Sequence, residues 1–202
     1  MDRLDQVLDS AIPLLKRAED VIGAAGAPPG HPVWGQLRLV RLMPADAAHA
    51  VAALRPEALA EAEPELRADA RACAEAAVLP PPGEWEGEAA EAYDDLRRRT
   101  AAHLSGGDDS LDERFEATAD LAAALHDWMT RTREHLAAAL ADALISAEAL
   151  TLTAAASHPP LPAETAAAAD LTAYVLRTIA ADYAEAEELL AGSQRLAEPI
   201  PL

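Results

Sequence analysis

The chain has 202 residues, 51% of them hydrophobic but only 3% aromatic, and a formal net charge of -19. Such a negative field opposes nucleic-acid phosphates and anionic lipid surfaces, so the composition excludes a partner of either kind. No run approaches the roughly 20 apolar residues that span a bilayer, and no membrane insertion is expected.

Alanine leads the composition, followed by leucine, while β-branched and aromatic residues are scarce. That mixture favours helix and close helix contacts over strands. The expected fold class is all-α. Residues 2–22 read as a first helix, with Leu4, Leu8, Ile12 and Leu15 at helical spacing and Pro13 as a point of bending. A Gly/Pro-rich linker follows over 23–32. Residues 33–43 form a short apolar and basic stretch, helical or extended, with Trp34 near its start.

Pro44 and Asp46 open a helical region to about Val78, which Pro56 and Pro64 are expected to divide or bend because neither has an amide donor. The loop at 79–83 is short, so the next helix, from about Glu84 to Leu104, should turn back on the one before it. Ser105-Gly106-Gly107-Asp108-Asp109 is a break, and Ser110 with Glu113 has the spacing of a capping box. From Ser110 to about Ser157 the pattern is one long helix. Leu111, Phe115, Thr118, Ala122, Leu125, Met129, Thr132, Leu136, Ala139 and Ala143 recur at alternating steps of four and three, a coiled-coil-like assembly seam. His158-Pro159-Pro160-Leu161-Pro162 stops it. A last helix is expected over 163–191, ending at Gly192, with a loose tail at 198–202. The expected architecture is an elongated antiparallel bundle built on a long helical hairpin. Its parts would be an N-terminal helix and linker (1–43), the hairpin (44–157), and a C-terminal helix with the tail (158–202).

The most informative stretch is Trp85-Glu86-Gly87, set between the proline run Pro80-Pro81-Pro82 and the helical Ala89-Ala90-Glu91-Ala92-Tyr93. A large aromatic, a glycine two residues on, a small pair and a second aromatic mark a tight bend between helices. This stretch resembles the WXG superfamily of type VII (ESX-type) secretion substrates and partners. The resemblance covers 44–157, as hairpin arm, turn and returning arm. It implies that Trp85, Gly87, Ala89, Ala90 and Tyr93 shape the turn. It also implies helix-face pairing with a second copy, another WXG-type protein or a secretion ATPase. The family tends to carry a Tyr-x-x-x-acid export signal on a helix, and Tyr183 with Glu187 has that form, with ring and carboxylate one turn apart and displayed together. Two departures stand against the pattern: members are usually a two-helix hairpin of about half this length, and here the returning arm is interrupted at 105–109. The tyrosine signal would also lie on an added helix.

The segment 57–91 holds ten acidic residues against Arg67 and Arg71 alone. It serves solubility or a basic protein partner. The rival reading is therefore a cytoplasmic acidic chaperone, adaptor or immunity protein for a basic partner. The N-terminus lacks the basic head and apolar core of a signal peptide, so the protein is expected in the cytoplasm or exported without a cleavable leader.

Nothing in the chain reads as catalytic. The single cysteine, Cys73, sits among alanines as a small apolar residue. Asp108-Asp109-Ser110-Leu111-Asp112 matches the magnesium-diphosphate motif of all-α terpene and prenyl synthases. The chain is short for such an enzyme, has no asparagine for the second metal motif, and has few aromatics to line a carbocation pocket; a turn and helix start explain the same aspartates. Asp46 with His49 is one weak carboxylate-His pair, while His126 and His135 share no matching pattern, so no di-iron centre is expected. Arg97-Arg98-Arg99 suits a helix C-terminus. There is no phosphate loop, nucleophile elbow or zinc spacing. The chain is read as a non-enzymatic protein with no metal and no cofactor.

Overall fold

The computed structural model describes residues 2–107, 109–154 and 158–198. Among them every regular element is helical and there is no strand. Asp108 of the aspartate cluster, the expected helix end at 155–157 and the tail at 199–202 lie outside the described residues. The chain gathers into two compact units, Met1–Arg55 with Trp128–Ala186 and Pro56–Asp127 with Glu187–Leu202. This grouping joins segments far apart in the chain and crosses the boundaries at 43 and 157 read from the sequence.

In the first unit, α1 (Arg3–Ala25) starts at a reciprocal cap. The Asp5 amide donates to Asp2 Oδ1 at 3.0 Å and the Asp2 amide to Asp5 Oδ2 at 3.3 Å. Leu4, Leu8, Ala11, Leu15, Ala18 and Ile22 make its buried stripe, and Pro13 lies on the exposed side, where solvent can serve the carbonyl it leaves free. α2 (Val33–Val40) resolves the ambiguous 33–43 stretch as helix. α3 (Pro44–Ala52) begins with proline, whose missing amide costs nothing in a first turn, and Ala45 donates there to Glu19 at 2.8 Å.

The long seam helix is α6 (Leu111–Leu144), and α7 (Ala147–Ala154) follows after a 56° bend. The single helix expected over 110–157 breaks because the Ser146 hydroxyl accepts the Ala149 amide at 3.1 Å, a local N-cap that starts a new helix. α8 (Pro162–Ala181) touches α1, α2, α3 and α7, and is apolar on most of its circumference, with Leu171, Val175, Leu176 and Ile179 buried. The last helix is likewise divided, since α9 (Tyr183–Leu196) starts beyond a break at Asp182. The Asp182 carboxylate accepts from Thr132 Oγ1 at 3.1 Å and lies 3.5 Å from His135 Nδ1, while its carbonyl accepts Trp128 Nε1 at 3.2 Å. Trp128, Thr132 and His135 share one face of α6, and their hold on Asp182 competes with helix continuation there.

Two arginines, Arg133 buried and Arg17 half-buried, organise this unit. Arg17 pairs with the buried Glu164 at 3.0 Å, and Glu164 Oε2 also accepts the Leu161 amide at 2.8 Å at the start of α8. Arg133 binds Asp2 and Asp5 together with carbonyls at the end of α3.

The second unit holds a short 3-10 turn (Pro56–Leu59), α4 (Ala62–Ala76), α5 (Glu88–Leu104) and the parts of α6 and α9 that fall in its ranges. Pro64 sits in the first turn of α4 and does not divide it. Among the described residues the buried apolar side chains of this unit are alanines, Ala70, Ala90, Ala119 and Ala122. Ion pairs supplement so thin a core. Arg67 of α4 meets Glu63 at 3.1 Å and reaches Glu116 and Asp120 (2.9 Å) of α6. Hydrogen bonds to Asp120, Glu63 and Glu116 raise its pKa further. Asp94 binds both Arg97 (2.7 Å) and Arg98 (2.5 Å), so these arginines serve their own helix face; the C-terminal role read for Arg97-Arg98-Arg99 falls away, because α5 runs on to Leu104 with His103 as the basic group of its last turn.

Candidate functional site

The Trp85 turn lies in the second unit. The chain leaves α4 through the Pro80-Pro81-Pro82 run and bends at Gly83 (φ +69°), and the Trp85 amide closes the bend on the Pro82 carbonyl at 3.3 Å. Gly87 is the N-cap of α5, and its carbonyl takes the Ala90 and Glu91 amides at 2.9 and 3.1 Å. Its backbone, φ +96° and ψ -179°, lies in a region open essentially to glycine alone. The helix returns Tyr93 to Trp85, with ring centroids 5.8 Å apart and planes tilted by 43°. The Tyr93 hydroxyl donates to the Pro80 carbonyl at 3.1 Å. Of the five residues assigned to the turn, Trp85, Gly87, Ala90 and Tyr93 are brought together, with Ala90 buried; Ala89 faces solvent. Trp85 remains 52% exposed, and Val78 and Leu96 of the same unit are also exposed.

A Cβ at Gly87 would meet no atom within 4 Å, so any cost of adding one is conformational. Gly87→Ala is expected to destabilise by about 1–3 kcal/mol, measured as a lower urea midpoint, and Gly83→Ala to act in the same direction. An unchanged midpoint for Gly87→Ala would refute this account of the turn.

The two residues of the tyrosine signal are placed differently from each other. Tyr183, the first residue of α9, packs half-buried against the core of the first unit. With Trp128, Val51, Leu54 and Ile179 it lines an apolar cavity of about 180 Å³, and burial pushes its phenol pKa up. The ring is therefore not displayed as expected, because the break at Asp182 starts a new helix whose first side chain covers the core. Glu187 is exposed.

The seam on α6 is also divided. Leu136 is only 1% exposed and belongs to the main core cluster, and Thr132, Ala139 and Ala143 are buried too. Leu111, Phe115, Leu125 and Met129 are half-buried.

The remaining titratable groups are held in local structure. Asp112 accepts the Ser105 hydroxyl, the Ser110 hydroxyl at 2.6 Å and the Glu113 amide at 2.9 Å. Asp112 thus takes the amide that the capping box assigned to Ser110. The Ser105 hydroxyl, then that of Ser110, lowers its pKa. Asp109 pairs with Arg114 at 3.3 Å. His49 Nδ1 lies 2.8 Å from the Ala45 carbonyl on its own helix, and Cys73 is half-buried on α4. Among the described residues no group of three or more His, Cys, Asp or Glu side chains is arranged to hold a metal ion.

One feature of the first unit escaped the sequence reading. A cleft of about 530 Å³ opens between α6 and α8, with His31, Asp142, Glu148, Asp170, Tyr174 and Arg177 among its walls. It continues along the same two helices into a shallower groove that shares Asp142, Tyr174 and Arg177 and adds His135. The signal for it was present, since Asp170, Tyr174 and Arg177 fall at i, i+4 and i+7 on one helix face. Burial first, and then Asp142, raises the Tyr174 pKa.

The fold thus defines an all-helical protein whose chemistry-bearing side chains sit in a turn and a cleft. Comparison of the chain with protein-family models, with curated proteins and with solved structures gave no match.

Proposed function

We propose that this chain is a non-enzymatic WXG-like protein associated with type VII (ESX-type) secretion, acting by pairing helix faces with a second copy, another WXG-type protein or a secretion ATPase. The observation that carries the reading is the Trp85 turn. Its tryptophan and glycine join an aromatic and a buried alanine in one bend between α4 and α5, and the tryptophan face stays half open to a partner. Helix association of this kind draws on exposed apolar side chains, and Trp85, Val78 and Leu96 supply them here. The elongated antiparallel bundle and the free part of the α6 seam belong to the same proposal.

In this reading Glu187 is the accessible half of the export signal, so it is the half to test. The wild type is expected in the culture filtrate of its native host. Glu187→Ala is expected to stay in the lysate, folded by circular dichroism. Equal export of both forms would remove the signal from the proposal. Retention of the wild type inside the cell would favour the cytoplasmic adaptor for a basic partner.

A further inference from the structure

We propose that the cleft between α6 and α8 is a docking site for a basic protein segment, with an arginine or lysine side chain entering among Asp142, Glu148 and Asp170 beside the Tyr174 ring. The inference goes beyond the secretion reading and holds whether or not the protein is exported.

The volume, about 530 Å³, falls within the range of sites that enclose a ligand group. Its charge is what selects the occupant. Some carboxylates of this unit are matched by arginines, Glu164 by Arg17 at 3.0 Å, Asp5 by Arg133 at 3.0 Å and Glu185 by Arg131 at 2.5 Å, while others, Asp9, Asp20 and Glu134 among them, stand exposed with no arginine partner among the described residues. The three carboxylates of the cleft have no such match among the described residues. Asp142 accepts only the Tyr174 hydroxyl, at 3.4 Å. Glu148 is half-buried with no hydrogen-bond or ion-pair partner there. Asp170 meets His31 Nε2 at 3.1 Å. His31 Nδ1 accepts the Val33 amide at 3.1 Å, which leaves Nε2 to face Asp170.

The one guanidinium in the cleft belongs to Arg177, 6.0 Å over the Tyr174 ring and without a carboxylate partner among the described residues. Its position shows that the ring face accepts a guanidinium, and an incoming arginine would compete with it. Leu171, Ala143 and Ala173 are part of the lining, and the two alanines leave room for a partner backbone to approach. Along α8 the combined groove runs from Asp170 to Ala181, roughly 16 Å at 1.5 Å per residue, enough for about three turns of a partner helix. The chain's charge of -19 would steer a basic segment toward it.

The test uses the full chain and an alanine-based helical peptide bearing four arginines at i, i+4 spacing, titrated by calorimetry in about 150 mM salt, where long-range attraction is screened beyond about 8 Å. Replacing Asp142, Glu148 and Asp170 together (D142N, E148Q, D170N) is expected to weaken binding at least tenfold. Neutralising three exposed carboxylates outside the cleft (D9N, D20N, E134Q) makes the same change in net charge and is expected to weaken it less than threefold. Arg177→Ala, at an exposed position, is expected to tighten binding at least twofold by vacating the ring face. This last sign keeps the test decisive if the cleft variant fails to fold. Absence of wild-type binding, a cleft effect no larger than the control, or weaker binding by Arg177→Ala would each overturn the proposal. Spermine displacing the peptide at equal concentration would transfer the cleft to small polycations and overturn the assignment to a protein segment. None of these outcomes bears on export, so the secretion reading stands or falls separately.

Discussion

Replacing Arg133 by methionine is expected to destabilise the protein by about 3 kcal/mol, the scale for stranding a buried charged network. Arg133 is only 8% exposed. Its Nε donates to Asp2 Oδ2 at 2.8 Å and its Nη2 to Asp5 Oδ1 at 3.0 Å. Its Nη1 donates to the carbonyls of Ala52 and Leu54, the latter at 2.9 Å. One side chain on α6 thus joins the first turn of α1 to the end of α3. Burial alone would lower the guanidinium pKa, but Asp2 and Asp5 outweigh it and hold the group charged. Methionine keeps the apolar stem and removes every donor, leaving the α3 carbonyls without their partner in a largely dry site. Asp5→Asn is the informative comparison. Its carboxylate is substantially exposed, solvent screens the pair, and the amide retains an acceptor oxygen, so a loss below about 1 kcal/mol is expected. Urea denaturation of the three proteins measures both effects. Equal losses for the two variants would mean that the surface charges, and not the carbonyl contacts, carry the interaction.

Leu136→Ala is expected to cost about 2–5 kcal/mol, as for other leucines truncated in closed cores. The sequence pattern assigns Leu136 to an assembly seam. A seam residue, when truncated, weakens association and leaves the separate chain intact. The structure instead seals Leu136 in the cluster with Leu15, Leu140 and Leu176. Truncation should therefore lower the melting temperature at every protein concentration and leave the association state measured by sedimentation unchanged. A shift in association with an unchanged melting temperature would return Leu136 to the seam. Phe115→Ala is the contrasting case. Its half-buried ring loses less apolar burial, so a smaller drop in stability is expected.

Much of the helical layout was legible in the residues. The Asp2 start of α1, the proline start of α3 and the glycine cap of α5 rest on local backbone chemistry, and local chemistry can be read directly from sequence. The two missed breaks have different causes. At Ser146 the cap was local, but it lay inside a run of good helix formers that masked it. At Asp182 the break depends on Trp128, Thr132 and His135, some 50 residues earlier, and no window of sequence contains that information. Tyr183 and Glu187 remain one turn apart on α9, but Tyr183, the first residue of that helix, is packed against the core while Glu187 is exposed, a difference set by tertiary contacts and not by their spacing. The turn residues were legible because they lie within nine positions of one another. The cleft was not, because its walls combine the α1–α2 connection, α6, α7 and α8. Only the α8 part has a pattern of its own, and the meeting of Asp142, Glu148 and Asp170 in one concavity is a property of the folded chain.

The most direct test of the central proposal is to follow the wild-type chain in culture filtrate and lysate of its native host, with and without the host's type VII secretion ATPase. The proposal predicts the intact chain in the filtrate only when the ATPase is present, with the folded protein accumulating in the lysate when it is absent. A chain confined to the lysate in both strains, or equally abundant in both filtrates, would contradict it.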